Sequence, residues 1–214
     1  MISRNLTFAG LFVLANLSIA GSLANAGQVR MEFDQEIDHD GDPPTGTPPW
    51  LIATFADSGQ DRVQLIVEST LTAPNEFIRR LWFNTEPDIN ANEITIGQVS
   101  GPPSVSIRAE RNRFGSPRMG GFDMELVWGV NDFLNGNEIA TFDLSAVGLT
   151  ASSFAHKNEV GYQFFAVAKA ANTKGQDELI APTGIPLPST ALLGLVGLLG
   201  IPVIAARKWI SVAS

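Results

Sequence analysis

Cysteine is absent from this 214-residue chain, tyrosine occurs once and histidine twice. Without thiols there is no disulfide, no thiolate nucleophile and no cysteine-ligated zinc. His39 and His156 stand apart from each other and from any motif that would make either one a base or a ligand. Positive charge is scarce as well: 14 Lys and Arg against 22 Asp and Glu leave a net charge of −8. Binding nucleic acid by neutralising phosphates needs a clustered positive surface, so the balance argues against that partner. What the chain has in quantity is apolar, 44% of its residues, including 13 Phe and 4 Trp. That is the composition of a chain that packs, not of a disordered one.

The two ends differ from the middle. Arg4 is followed by an apolar run from Leu6 to Ala20 and then by Ala24-Asn25-Ala26, the small-x-small pattern that a signal peptidase reads. Residues 1–26 are therefore expected to be a cleaved signal peptide, with Gly27 as the first mature residue. Near the other end, Ala191 to Ala206 carries no charge and is followed by Arg207 and Lys208. As a helix rising about 1.5 Å per residue it would be about 24 Å long, against a hydrocarbon core of about 30 Å. The basic pair favours the cytoplasmic side, which leaves everything between the two runs outside. Gly194, Gly197, Gly200 and Pro202 weaken a helix in water but are tolerated within membranes, and the run offers no polar face to solvent. Pro182, Pro186 and Pro188 make a short extended spacer before it.

Ile185-Pro186-Leu187-Pro188-Ser189-Thr190-Ala191-Leu192-Leu193-Gly194, with the Gly- and Leu-rich run and the basic pair behind it, resembles the PEP-CTERM sorting signal of Gram-negative bacteria. The resemblance covers residues 185–208, with the transmembrane segment at 191–206 and a tail at 209–214. Leu187 stands where that family usually has Glu, and the tail continues past the basic cluster. The resemblance implies export and an exosortase-type membrane protease as partner. It also implies transient anchoring in the inner membrane through the C-terminal helix, then delivery to the cell surface or the extracellular matrix, often in exopolysaccharide-making, biofilm-forming organisms. On that reading Pro186, Pro188, Ser189, Thr190, Arg207 and Lys208 carry the sorting signal. Leu187-Pro188-Ser189-Thr190-Ala191 is also similar to a sortase cell-wall signal, with Ala where Gly is usual. Both addresses place the body outside.

That body, residues 27–184, keeps all 22 acids but only 11 of the bases. Its apolar residues alternate as half-buried strands require: Val63, Leu65 and Val67; Phe122, Met124, Leu126 and Trp128; Val160, Tyr162, Phe164, Ala166 and Ala168. Further strands are expected at Val29 to Phe33, Trp50 to Ala56, Phe77 to Phe83, Ile94 to Val99, Val105 to Ala109 and Ile139 to Val147. Turn chemistry such as Asp57-Ser58-Gly59, Gly101-Pro102-Pro103 and Asn135-Gly136-Asn137 separates them. The pattern predicts an all-β domain, an antiparallel, jelly-roll-like β-sandwich, flanked by the N-terminal signal helix and the C-terminal hydrophobic helix. A short helical turn is expected near Ser152 to His156.

The sharpest chemical motif is the alternation of Asp34, Glu36, Asp38, Asp40 and Asp42. Glu-x-Asp-x-Asp-Gly, from Glu36 to Gly41, resembles the start of a calcium loop, where alternate carboxylates converge on a hard cation. Glu36, Asp38, Asp40 and Asp42 would be the calcium ligands. The twelfth position is Thr47 instead of a bidentate Glu, and Pro43-Pro44 interrupts the loop, so a solvated acidic loop with no cofactor is the competing reading. Arg108, Arg111, Arg113 and Arg118 could meet an anionic polysaccharide or pair with nearby acids. Trp50, Trp82 and Trp128 are either a sugar-stacking platform or core. A glycosidase needs two acids at a fixed separation in space, and no catalytic residue is assigned. The expected function is a noncatalytic exported surface or matrix protein, with a carbohydrate-binding module and an extracellular hydrolase as alternatives.

Overall fold

The computed structural model describes residues 27–38, 42–116, 119–129, 131–159, 161, 163–173 and 176–184. The signal peptide, the sorting signal and the two flanking helices expected from the sequence lie outside the described residues. Within them the chain is all-β. The strands are β1 (Gln28–Glu36), β2 (Leu51–Gly59), β3 (Arg62–Ser69), β4 (Phe77–Phe83), β5 (Thr95–Ser100), β6 (Ser104–Ser116), β7 (Gly120–Trp128), β8 (Leu134–Asn135), β9 (Ile139–Ser145), β10 (Ala166–Thr173) and β11 (Gln176–Pro182). Single turns of 3-10 helix occur at Ala91–Glu93 and Ala151–Phe154, the second overlapping the helical turn expected near Ser152 to His156.

Every strand pair is antiparallel, and the sheet runs β5-β9-β3-β2-β1-β11-β10-β4-β7-β6, with β8 beside β4. Its two ends, β5 and β6, are consecutive in the chain, and the sheet curls until it is nearly closed into a barrel. The turn between them depends on Gly101, whose φ is +95° and where a Cβ would lie 2.4 Å from the carbonyl oxygen of Ile139. Only glycine fits such a place. Gln98 ties the same turn together, accepting from the Ser104 amide at 2.8 Å and donating to the Pro102 carbonyl at 2.6 Å.

Period-two alternation puts one face of most strands inside. Val29, Met31 and Phe33 of β1, Val63, Leu65 and Val67 of β3, Phe142 and Leu144 of β9, and Ala166, Ala168 and Ala170 of β10 all enter one core. Each large side chain buried in this way contributes roughly 1.5–3 kcal/mol. Phe154 stacks on Phe55 with centroids 3.9 Å apart, which fastens the second 3-10 turn to the core. A smaller cluster of Trp82, Phe114, Met119, Phe122, Val167 and Ala181 lies apart from it, with Ile37, Phe164 and Leu179 packed against it.

The strand expected over Val160 to Ala168 begins only at Ala166. Asn158 is the reason: its backbone amide donates to the Phe164 carbonyl at 2.9 Å and its Oδ1 accepts from the Phe164 amide at 2.7 Å, closing the segment into a loop. β11 has no counterpart among the expected strands. In Gln176–Pro182 a carboxylate, Glu178, occupies a core-facing position and Leu179, Ile180 and Ala181 follow without alternation.

Candidate metal centre

The end of β1 is re-aimed by a β-bulge. Phe33 pairs with Pro182, Gln35 with Ala181 and Glu36 with Ile180, so β1 advances by two residues while β11 advances by one. An extra residue of this kind flips the facing of everything beyond it. Val29, Met31 and Phe33 point inward; after the bulge Gln35 is exposed and Glu36 turns in. Beyond β1 the chain stays beside β11, with the Ile37 amide donating to the Leu179 carbonyl at 2.9 Å and the Leu179 amide reaching Asp38 Oδ1 at 3.4 Å.

Glu178 faces the same side. Its ladder partner on β10 is Ala170, whose own partner on β4 is Ile78, and both are core residues. The small alanine beside it leaves room, and Glu178 is only 1% exposed. One carboxylate oxygen each from Glu36, Asp38 and Glu178 lie within 4.8 Å of one another. Glu178 Oε2 and Glu36 Oε1 are buried without a hydrogen-bond partner. Burial, first of all, pushes the Glu178 carboxyl up from 4.5 to about 7; a hydrogen bond in which its neutral form donates to Asp38, and the charges of Asp38, Glu36 and Asp42, add to the shift.

The other buried acids of the fold are compensated. Asp123 accepts from the Thr85 amide at 3.0 Å, from the Asn112 amide at 2.8 Å and from Arg111 at 2.8 Å. Glu125 accepts from Trp82 Nε1 at 3.1 Å and pairs with Arg80 and Arg108. Among the described residues no Lys or Arg pairs with Glu36, Asp38 or Glu178. Three convergent carboxylates in that condition can hold a hard cation or share protons.

Of the four acids expected to bind calcium, the structure brings Glu36 and Asp38 together and sets Asp42 near enough for its charge to act on Glu178. Asp40 lies outside the described residues. Asp34 turns away and caps β11, accepting from the Thr183 amide at 2.8 Å and its hydroxyl at 2.6 Å. Glu178 escaped sequence reasoning because it belongs to a distant strand; the one available signal was an acid next to an apolar triplet. The tryptophan platform is not there: Trp50, Trp82 and Trp128 are all buried. Two of the four arginines, Arg108 and Arg111, are occupied by Glu125 and Asp123, Arg113 lies 3.7 Å from Glu110, and Arg118 is outside the described residues.

No protein-family model, curated protein or solved structure matches this chain.

Proposed function

We propose that the protein is an exported, noncatalytic component of a bacterial cell surface or extracellular matrix, delivered by a PEP-CTERM-like signal at 185–208. The observation that carries this reading is the division of the chain's apolar residues. Uncharged apolar runs at 6–20 and 191–206, the first followed by Ala24-Asn25-Ala26 and the second by Arg207 and Lys208, flank a body whose apolar residues alternate as strands, and that pattern supports taking the two runs as addresses. The crowding of all 22 acids into residues 27–184 suits a solvated body. The jelly-roll-like sandwich expected from the sequence remains the finer reading of the one curled, nearly closed antiparallel sheet. The partners are the exosortase-type protease and the inner membrane of a Gram-negative host.

Fractionation of the host tests the reading. The body is expected at the surface or in the medium, and a variant carrying Pro186→Ala and Pro188→Ala is expected to remain in the inner membrane with its tail. Whole chain found in the cytosol contradicts it.

A second reading, binding of exopolysaccharide, is favoured by a groove of about 580 Å³ lined by Phe77, Phe133, Arg79, Asn172, Gln176 and Asp177. Phe77 and Phe133 stack there with centroids 3.6 Å apart, an apolar face beside hydrogen-bonding groups as a sugar ring requires. Phe133→Ala is expected to weaken retention on isolated host polysaccharide; equal retention of both proteins removes this reading.

A further inference from the structure

We propose that Glu36, Asp38 and Glu178 form a calcium site that clasps the end of the first strand to the last. The proposal stands on geometry within the body and holds whether or not the chain is exported.

Three observations meet at this place. The carboxylate oxygens converge to within 4.8 Å, close enough for one ion to touch all three. Glu178 is 1% exposed and its Oε2 has no hydrogen-bond partner, as is also true of the buried Glu36 Oε1. Buried acceptors in proteins are usually paired, and a buried carboxylate with only other carboxylates for company lacks the cation that Arg111 gives Asp123 and that Arg80 and Arg108 give Glu125. Finally, the bulge between Phe33 and Gln35 is what points Glu36 at Glu178. Without the extra residue, alternation would send Glu36 outward, and a fold that merely had to bury β1 has no use for turning an acid in.

The donor set decides the ion. The described cluster offers only carboxylate oxygen, which suits hard cations over zinc or copper. Three carboxylates from two chain segments can supply up to about six oxygens at irregular angles, with water completing the shell. Calcium accepts such a shell, whereas magnesium demands near-octahedral geometry and gives up its waters reluctantly. This differs from the twelve-residue loop suggested by the spacing at Glu36: two ligands come from that stretch and the third from the opposite end of the domain. With few protein ligands the affinity belongs to the extracellular class, with Kd about 0.1–1 mM.

The test uses the full chain in a mild detergent, with calcium chloride, magnesium chloride and EDTA as probes, read by thermal melting and by equilibrium dialysis. At about 10 mM calcium the melting temperature is expected to rise by about 3–10 °C over EDTA, with one ion bound and a smaller response to magnesium. Glu178→Gln keeps the shape and removes one ligand charge. It is expected to melt higher than the parent in EDTA and to lose the calcium response, and Asp38→Asn to lose the response likewise. Absence of a calcium-dependent shift in the parent, or equal shifts with magnesium or in Glu178→Gln, overturns the proposal, because the response is then ordinary screening of an acidic surface.

Discussion

Glu178 and Asp38 hold their carboxylates together across the seam between the last strand and the end of the first. The seam joins chain segments far apart in sequence at the middle of the sheet, so what happens to these two charges bears on how the two halves of the sheet pair.

In the absence of a cation this pair makes stability fall with pH. Glu178 ionises near 4.5 in the unfolded chain and near 7 in the fold, so the folded state binds the extra proton between those values. Its contribution is complete below the lower value and is lost as pH rises through the upper one. Urea midpoints measured in EDTA are expected to be lower at about pH 8 than at about pH 5, and Glu178→Gln is expected to flatten the difference. Calcium is expected to restore the midpoint at the higher pH.

Asp123 is a structural acid of the opposite kind. It gathers the amides of Thr85 and Asn112, the Thr85 hydroxyl and Arg111, while Arg111 goes on to the carbonyls of Thr85, Glu86, Pro87 and Ile89. Asp123→Ala leaves these donors without their acceptor, and a loss of about 3–5 kcal/mol is expected in chemical denaturation.

Glu125 lies opposite Trp82 on β4 and Arg108 on β6, forming a row across three strands. Because Arg80 and Arg108 are partly exposed and can turn to water, Glu125→Ala is expected to cost less, about 1–3 kcal/mol, mostly through the unpaired indole N–H. A blue-to-red shift of tryptophan emission accompanying the loss would report exposure of Trp82.

Phe154 is the pin of the second 3-10 turn. Phe154→Ala removes its stacking on Phe55 and leaves a cavity, and a cost of about 3–5 kcal/mol is expected from the same denaturation measurement.

The strands that could be read from the sequence are those whose outer face is polar and whose inner face is apolar. β3 alternates Val63, Leu65 and Val67 with Gln64, Ile66 and Glu68, and it lies where expected; β4 matches its expected bounds to the residue. The strand expected around Phe164 shortened because Asn158 captures backbone groups that a ladder would have used, and such a loop leaves no trace in hydrophobic period. β11 was hidden because the acid on its inner face, Glu178, breaks the alternation. The candidate site was half visible in consequence. Glu36 and Asp38 announced themselves by spacing, while Glu178 and the bulge that turns Glu36 toward it depend on strand register, which local pattern does not contain.

The central claim is that an acidic β-body is carried out of the cell between two disposable apolar ends, and intact-mass measurement of the mature protein from its native host tests it most directly. The account predicts a mass lacking residues 1–26 and the segment beyond the prolines at 186 and 188. A mass equal to that of the entire 214-residue chain would contradict it.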